Sequence, residues 1–311
     1  MKKIAFVFPG QGSQYVGMGK DFYEQFPESK EVFDKASELL DMDMCELCFE
    51  ENDRLNLTEY TQAAMVTTIG AMLKKIETMG IKPQVTAGLS LGEYAALVTA
   101  GVMDLYDAIR LVRLRGKLMQ EAVPQGVGAM AAVLGMEQDK VEEACASVDG
   151  MVIIANYNCP GQLVISGEMA AVQVATEKLT EMGAKRVVTL NVSGPVHSPL
   201  LETAGEKLLV ALDETKISKP EIPYVANVDA QYVTEAEGIK ELLAKQISSS
   251  VRWQQSVENM IADGVEVFVE IGPGKTISSF VKKIDRSKTV INIDKAEDLE
   301  KLTALLESEE N

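Results

Sequence analysis

Short, mostly apolar runs alternate with longer segments of helical periodicity along this chain, and that alternation leaves few folds open. The runs outside the middle of the sequence are Ile4–Phe8, Gln84–Ala87, Tyr224–Val228, Val265–Glu270 and Thr289–Ile293. Strands of this composition are buried on both faces, which predicts a mostly parallel sheet with helices packed on either side. Between Val127 and Val192 the rhythm changes. The order there is strand (Val127–Leu134), helix (Glu137–Ser147), strand (Met151–Tyr157), strand (Gln162–Ser166), helix (Glu168–Met182) and strand (Arg186–Val192). This β-α-β-β-α-β succession is that of a ferredoxin-like unit. Turn signals, Pro124-Gln125-Gly126 and Gly194-Pro195, stand at its ends. The expected organisation is a large α/β subdomain, residues 1–125 and 195–311, with a small subdomain, residues 126–194, inserted into it. A cleft between two such units is where a ligand site is expected.

At 311 residues, 46% of them hydrophobic and 25% charged, the chain can bury a large core and is ordinary for a globular protein. The apolar run after Lys2 and Lys3 stops at Pro9, too early for a signal-peptide core. No stretch approaches the roughly 18 apolar residues of a membrane span. A cytoplasmic protein is expected. The net charge of −17 argues against sequence-independent binding to nucleic acid, which relies on Lys and Arg to neutralise phosphates. Any anionic partner must use a local basic patch.

Four cysteines do not make a disulfide framework. Cys45 and Cys48 form a C-x-x-C, but Cys145 and Cys159 are not a spaced pair and His197 is the single histidine, so a zinc site lacks ligands. Helix packing is the better reading of the C-x-x-C, and no metal is expected.

The stretch QVTAGLSLGEYAA places Ser90 between Gly88 and Gly92, after a strand and before a helical pattern. That is the context a nucleophilic serine on a tight strand-to-helix turn requires. A serine hydroxyl is a weak nucleophile near neutral pH and needs a base. The one imidazole is His197, in NVSGPVHSPLL, where the chain re-enters the large subdomain across the expected cleft. An α/β-hydrolase would carry an acid between the two and a histidine near its C-terminus. This order fits that pattern poorly, so something other than the usual acid must orient the ring. FPGQGSQ, after the first strand, is a weak match to a dinucleotide loop because Tyr15 replaces the third glycine. A tight loop presenting backbone N–H groups to an anion suits it better. In DAIRLVRLRGKLMQEA, Arg115 falls on the side of Leu111 and Leu118, opposite the polar face of Arg110, Arg113, Lys117 and Gln120. A guanidinium there is costly unless paired, either with a buried acid or with a carboxylate brought by a substrate.

Taken in order, FPGQGSQ, GLSLGEYAAL, LVRLRGKLMQEAVP, NCPGQLVISG, VHSPLL and VEIGPGK resemble the malonyl-CoA:acyl carrier protein transacylases and the related acyltransferase domains of polyketide synthases. The resemblance spans nearly the whole chain. It implies a hydrolase-like core with a ferredoxin-like insert, and transfer of malonyl from malonyl-CoA to an acyl carrier protein through an ester on Ser90. His197 would then be base and acid, the N–H groups of Gln11 and Leu91 the oxyanion hole, Arg115 the partner of the malonyl carboxylate, and Gln246 the group orienting the histidine. Asn158 and Gln162 match positions lining the cleft, and Lys185 and Arg186 are expected near the coenzyme A phosphates. No cofactor beyond the thioester substrate is implied, and a monomer is expected. The acidic carrier should dock on basic residues, either Lys185 and Arg186 or the cluster Lys282, Lys283 and Arg286. Leu89 stands where many relatives have histidine, and Val196 precedes His197 at a place that influences which acyl chain fits, so a preference for malonyl over methylmalonyl is inferred from Arg115 together with the overall likeness. The rivals are an acyl hydrolase, a Ser-Asp lipid hydrolase using Asp149-Gly150 or Asp263-Gly264, and a silent carrier-binding scaffold.

Overall fold

The computed structural model describes residues 2–124, 126–190 and 194–310. Among the described residues ten strands form two sheets: β1 (Lys3–Phe8), β2 (Val85–Gly88), β3 (Gly128–Leu134), β4 (Val152–Cys159), β5 (Gln162–Glu168), β6 (Arg186–Thr189), β7 (Tyr224–Val225), β8 (Tyr232–Val233), β9 (Val265–Ile271) and β10 (Thr289–Ile293). The larger sheet has the order β10-β9-β1-β2-β7-β8, parallel except for the antiparallel edge strand β8. The smaller is antiparallel throughout, in the order β4-β5-β3-β6. A mixed α/β fold with one mostly parallel sheet and one ferredoxin-like sheet is what the alternation of runs predicts.

The central strand β1 is buried on both faces, and its period of two divides it between two cores. Ile4, Phe6 and Phe8 join one apolar cluster, Ala5 and Val7 the other. The first cluster lies under the Thr58–Thr78 and Leu105–Ala122 helices. The second is closed by Trp253 and by Ile277, Phe280 and Val281 of the Thr276–Ile284 helix. The smaller sheet packs one face on the Gln138–Ala146 and Met169–Glu181 helices. Its other face carries Met130, Ala155 and Val164 and looks toward the larger unit. Strand β4 is tied there by hydrogen bonds from Tyr157 N to Val251 O (2.9 Å) and from Val251 N to Ala155 O (2.8 Å).

Two expectations need correcting. The strand expected over Tyr224–Val228 ends at Val225, because the chain turns back at Ala226, whose N–H donates to Gln231 O, and enters β8, which the sequence reading lacks. The strand expected over Arg186–Val192 ends at Thr189 among the described residues, and Asn191 and Val192 lie outside them, as does Gln125 of the expected turn. Cys45 and Cys48 are free thiols on the short Met44–Phe49 helix, Cys48 fully buried. No helix of the described residues is long and apolar enough to cross a membrane.

Glycines fix how closely the loops at the strand ends approach. A Cβ on Gly88 would lie 1.9 Å from the Gly92 carbonyl carbon, and one on Gly92 would lie 2.4 Å from Phe8 O. We expect Gly88→Ala to lower stability by about 3 kcal/mol or more in a urea melt, since only backbone could give way. Gly194→Ala, with nothing within 4 Å of its added carbon, should stay within about 0.5 kcal/mol of the parent.

Candidate active site

Strand β2 delivers the chain to a turn in which Ser90 adopts a left-handed conformation (φ 51°), and the Gly92–Thr99 helix starts directly behind it. A non-glycine residue there is strained and persists only where its surroundings hold it. Here the restraint is Asn227. Its Oδ1 accepts from Ser90 N at 2.6 Å and its Nδ2 donates to Gly88 O at 2.7 Å, so one buried amide clamps the turn from both sides. Asn227 can do so because β7 ends two residues earlier and releases its backbone from the sheet.

His197 also has a positive φ (60°) and is buried. Its Nε2 lies 2.7 Å from Ser90 Oγ, and its Nδ1 lies 2.8 Å from the backbone carbonyl of Gln246. The carbonyl can only accept, so Nδ1 carries the proton and Nε2 is left to accept from the serine hydroxyl. Burial and the nearby Arg115 charge push the His197 imidazole down to about 4. The ring is therefore neutral, a base, across the physiological range.

Arg115 is wholly buried, as its position on the apolar side of its helix predicts, and among the described residues it has no ionic partner. Neutral oxygens hold it instead. Nη1 donates to Gln62 Oε1 (2.8 Å), and Nη2 donates to Gln246 Oε1 (3.0 Å) and to Ser90 Oγ (3.2 Å). Its buried Nε has no acceptor among the described residues. Burial pulls the guanidinium below its ordinary value, yet a guanidinium stays charged in a protein. A positive charge thus faces the serine with no anion to cancel it.

Ser90, Arg115 and His197 share the wall of a cavity of about 500 Å³ with Gln11, Leu91, Asn158 and Gln162. Its roof is the open face of the smaller sheet, including Met130, Ala132 and Val164, and Phe280 closes another side. The loop 8–12 reaches Ser90 because Gly10 has no side chain: a Cβ there would sit 2.5 Å from Leu89 O. The N–H of Ser90 is taken by Asn227, whereas the N–H groups of Gln11 and Leu91 have no acceptor among the described residues. Asn158 is buried with its Oδ1 unpartnered among the described residues, and Gln162 Oε1 accepts from Lys283 Nζ at 2.9 Å. Lys185 and Arg186 do not line the cavity; they are exposed where edge strand β6 begins. Among the described residues no group of three or more His, Cys, Asp or Glu is placed to hold a metal ion.

The family model for the acyl transferase domain matches residues 5–303. The chain belongs to the acyl transferase family. The malonyl CoA-acyl carrier protein transacylase of Bacillus subtilis (strain 168) is 47% identical over 313 residues, 99% of each chain. The crystal structure of the Clostridium perfringens malonyl CoA-acyl carrier protein transacylase has a TM-score of 0.95 at 45% identity, covering 99% of this chain and 98% of that one. A malonyl-transacylase solved in complex with a type II PKS acyl-carrier protein has a TM-score of 0.93 at 40% identity, covering 96% and 98%. The resemblance drawn from the sequence motifs thus extends over the whole fold, and the chain is an acyltransferase.

Three residues of this acyltransferase site escaped the sequence reading: Gln62, Asn227 and Glu93. Glu93 is 1% exposed, on the first turn of the helix behind Ser90. Burial pushes its carboxyl up to about 8, against the lowering effects of Gln246, Asn227 and Arg115. The unfolded chain would release this proton near the ordinary value of 4.5, while the folded chain keeps it to about 8. Between those values the native state binds more protons, so Glu93 makes stability fall as pH rises. Glu93→Gln removes that slope. The stability of this variant relative to the parent, read from denaturant melts, should rise on the order of 3 kcal/mol between pH 5 and pH 8.

Proposed function

We propose that this acyltransferase moves a malonyl group from malonyl-CoA to the phosphopantetheine thiol of an acyl carrier protein by way of an ester on Ser90. The observation that carries this reading is the uncompensated Arg115 guanidinium, whose Nη2 sits 3.2 Å from the Ser90 hydroxyl that itself faces His197. A cation without a protein anion, beside the nucleophile, selects an acyl group with a free carboxylate. A simple acyl hydrolase has no use for it, and a scaffold has no use for the serine–histidine pair. Asp149 and Asp263 are not needed as base.

In the first half-reaction Ser90 Oγ attacks the thioester carbonyl and its proton passes to His197 Nε2. The Gln11 and Leu91 N–H groups hold the oxyanion as it forms. The C–S bond then breaks, and His197 returns the proton to the departing coenzyme A sulfur. In the second half-reaction the carrier thiol gives its proton to His197 and attacks the ester. The carbon–oxygen bond to Ser90 breaks, and the serine recovers its proton from the histidine. Proton, sulfur and acyl group balance over the cycle with no cofactor or metal. The acidic carrier would approach exposed basic residues near the cavity, such as Lys283, which donates to the lining residue Gln162 at 2.9 Å. A cytoplasmic monomer accords with this role.

Incubation with labelled malonyl-CoA should give a malonyl mass adduct on the parent protein and none on Ser90→Ala. Absence of the adduct from the parent would end the proposal, and an adduct on the variant would move the ester elsewhere. The pH dependence has a definite sign. His197 must be neutral to accept the proton, and its folded value of about 4 lies below the ordinary 6.5. The kcat/KM of acylation measured by rapid quench, which reports the free enzyme, should hold nearly level as pH falls from 7 to about 5, and be lost only toward pH 4. An acid limb centred near 6.5 would contradict a buried imidazole beside Arg115.

A further inference from the structure

The Glu93 carboxyl takes no part in the reaction drawn above, yet it touches the group on which Arg115 leans. Its Oε2 accepts from Gln246 Nε2 at 2.6 Å and from Asn227 N at 3.3 Å. Gln246 Nε2 donates also to Ser90 O at 2.9 Å. A third, longer contact runs to Asn227 Oδ1 at 3.5 Å, so the nitrogen end of the Gln246 amide is held among three acceptors, of which Glu93 is the nearest, and its Oε1 is left facing Arg115 Nη2 at 3.0 Å. Turned over, the amide would set oxygen against Ser90 O and an NH₂ group against a guanidinium, and would replace the 2.6 Å N–H contact to Glu93 by one that only a carboxyl proton on Oε2 could bridge. The contacts to Ser90 O and to the guanidinium would be repulsive in a buried, poorly screened place. Oε2 can accept whether the carboxyl is ionised or carries its proton on Oε1. The orienting contact of His197 is of another kind, since it uses the backbone carbonyl of Gln246, which the amide's orientation leaves in place.

We propose that Glu93 is a positioning residue for the acyl carboxylate: by fixing the orientation of the Gln246 amide it sets the place of Arg115 Nη2. The preference for a carboxylated acyl group over a neutral one then depends on it. This inference rests on the malonyl reading, and the two can fail separately.

The test compares malonyl-CoA with acetyl-CoA as donors, measuring the rate of each mass adduct on the parent, Glu93→Ala and Glu93→Gln. Acetyl has no carboxylate, so it reports on Ser90, His197 and the oxyanion hole without the contact between Arg115 and an acyl carboxylate. Glu93→Ala should lower the malonyl-to-acetyl ratio of kcat/KM about tenfold or more, chiefly through the malonyl KM. Glu93→Gln, which keeps an acceptor oxygen for Gln246 Nε2, should hold the ratio within about threefold of the parent. Should Glu93→Ala not fold, Glu93→Met fills the same space without an acceptor and should show the same loss of ratio. Equal loss of both donors, an unmoved ratio in the Ala or Met variant, or a Gln variant as impaired as Ala would each overturn the inference. The malonyl reading would survive those results, whereas no malonyl adduct on the parent removes both.

Discussion

Taking a guanidinium wholly out of water without a carboxylate beside it is among the least favourable things a fold can do. In this acyltransferase the arrangement around the cavity follows from how that is made tolerable. Arg115 comes from one helix, and its acceptors come from three other places: Gln62 from the Thr58–Thr78 helix, Gln246 from the end of the Ile239–Gln246 helix, and Ser90 from the turn after β2. Amide and hydroxyl oxygens satisfy hydrogen-bonding directions without neutralising charge. The positive field is therefore kept, and it acts on everything within reach. It lowers the basicity of His197, works against the upward push of burial on Glu93, and leaves the cavity attractive to an anion.

The same region explains how a histidine can serve without a buried acid to orient it. Gln246 is the last residue of its helix, where carbonyl groups have no intrahelical donor and the helix dipole places partial negative charge. His197 Nδ1–H uses that carbonyl, and His197 N donates to the next one, Ile247 O, at 3.0 Å. Backbone and ring are held by consecutive residues, which supports the strained φ of 60°. A carbonyl at a helix end stabilises an imidazolium less than an aspartate would. It also adds no anion that could pair with Arg115.

The large features of the fold could be read from the sequence because they rest on repeated, local signals. Period-two burial in β1 and the β-α-β-β-α-β succession each involve many residues pointing the same way. The site residues were legible for other reasons: Ser90 from the glycines, strand and helix around it, His197 as the single imidazole, and Arg115 as a residue whose type conflicts with its surroundings. The same rule, applied evenly, would have reached Glu93, which is followed by Tyr94-Ala95-Ala96-Leu97, and Gln62, which precedes Ala63-Ala64-Met65-Val66. Asn227 was beyond it. Its value depends on β7 stopping at Val225, and the run Tyr224–Val228 reads as continuous strand because nothing local shows that the sheet ends there. The position of Lys185 and Arg186 away from the cavity was equally hidden, since it depends on which edge of the smaller sheet faces the larger one.

One consequence of an unpaired Arg115 concerns timing. While the cavity lacks an anion, burial and, after it, the guanidinium field depress His197, and the serine has a weak base beside it. On the proposed reading, a malonyl carboxylate entering the site pairs with Arg115 and cancels that field, so the imidazole recovers basicity as the thioester reaches Ser90. A neutral acyl group would leave the field in place and meet the weaker base. Selectivity would then arise partly in the chemical step and not in binding alone, because the same carboxylate that is recognised also prepares the proton acceptor. This coupling needs Arg115 to be held by neutral oxygens. Had an aspartate stood in place of Gln62 or Gln246, the arginine would be neutralised before substrate arrived, and neither recognition nor the gain in basicity would follow.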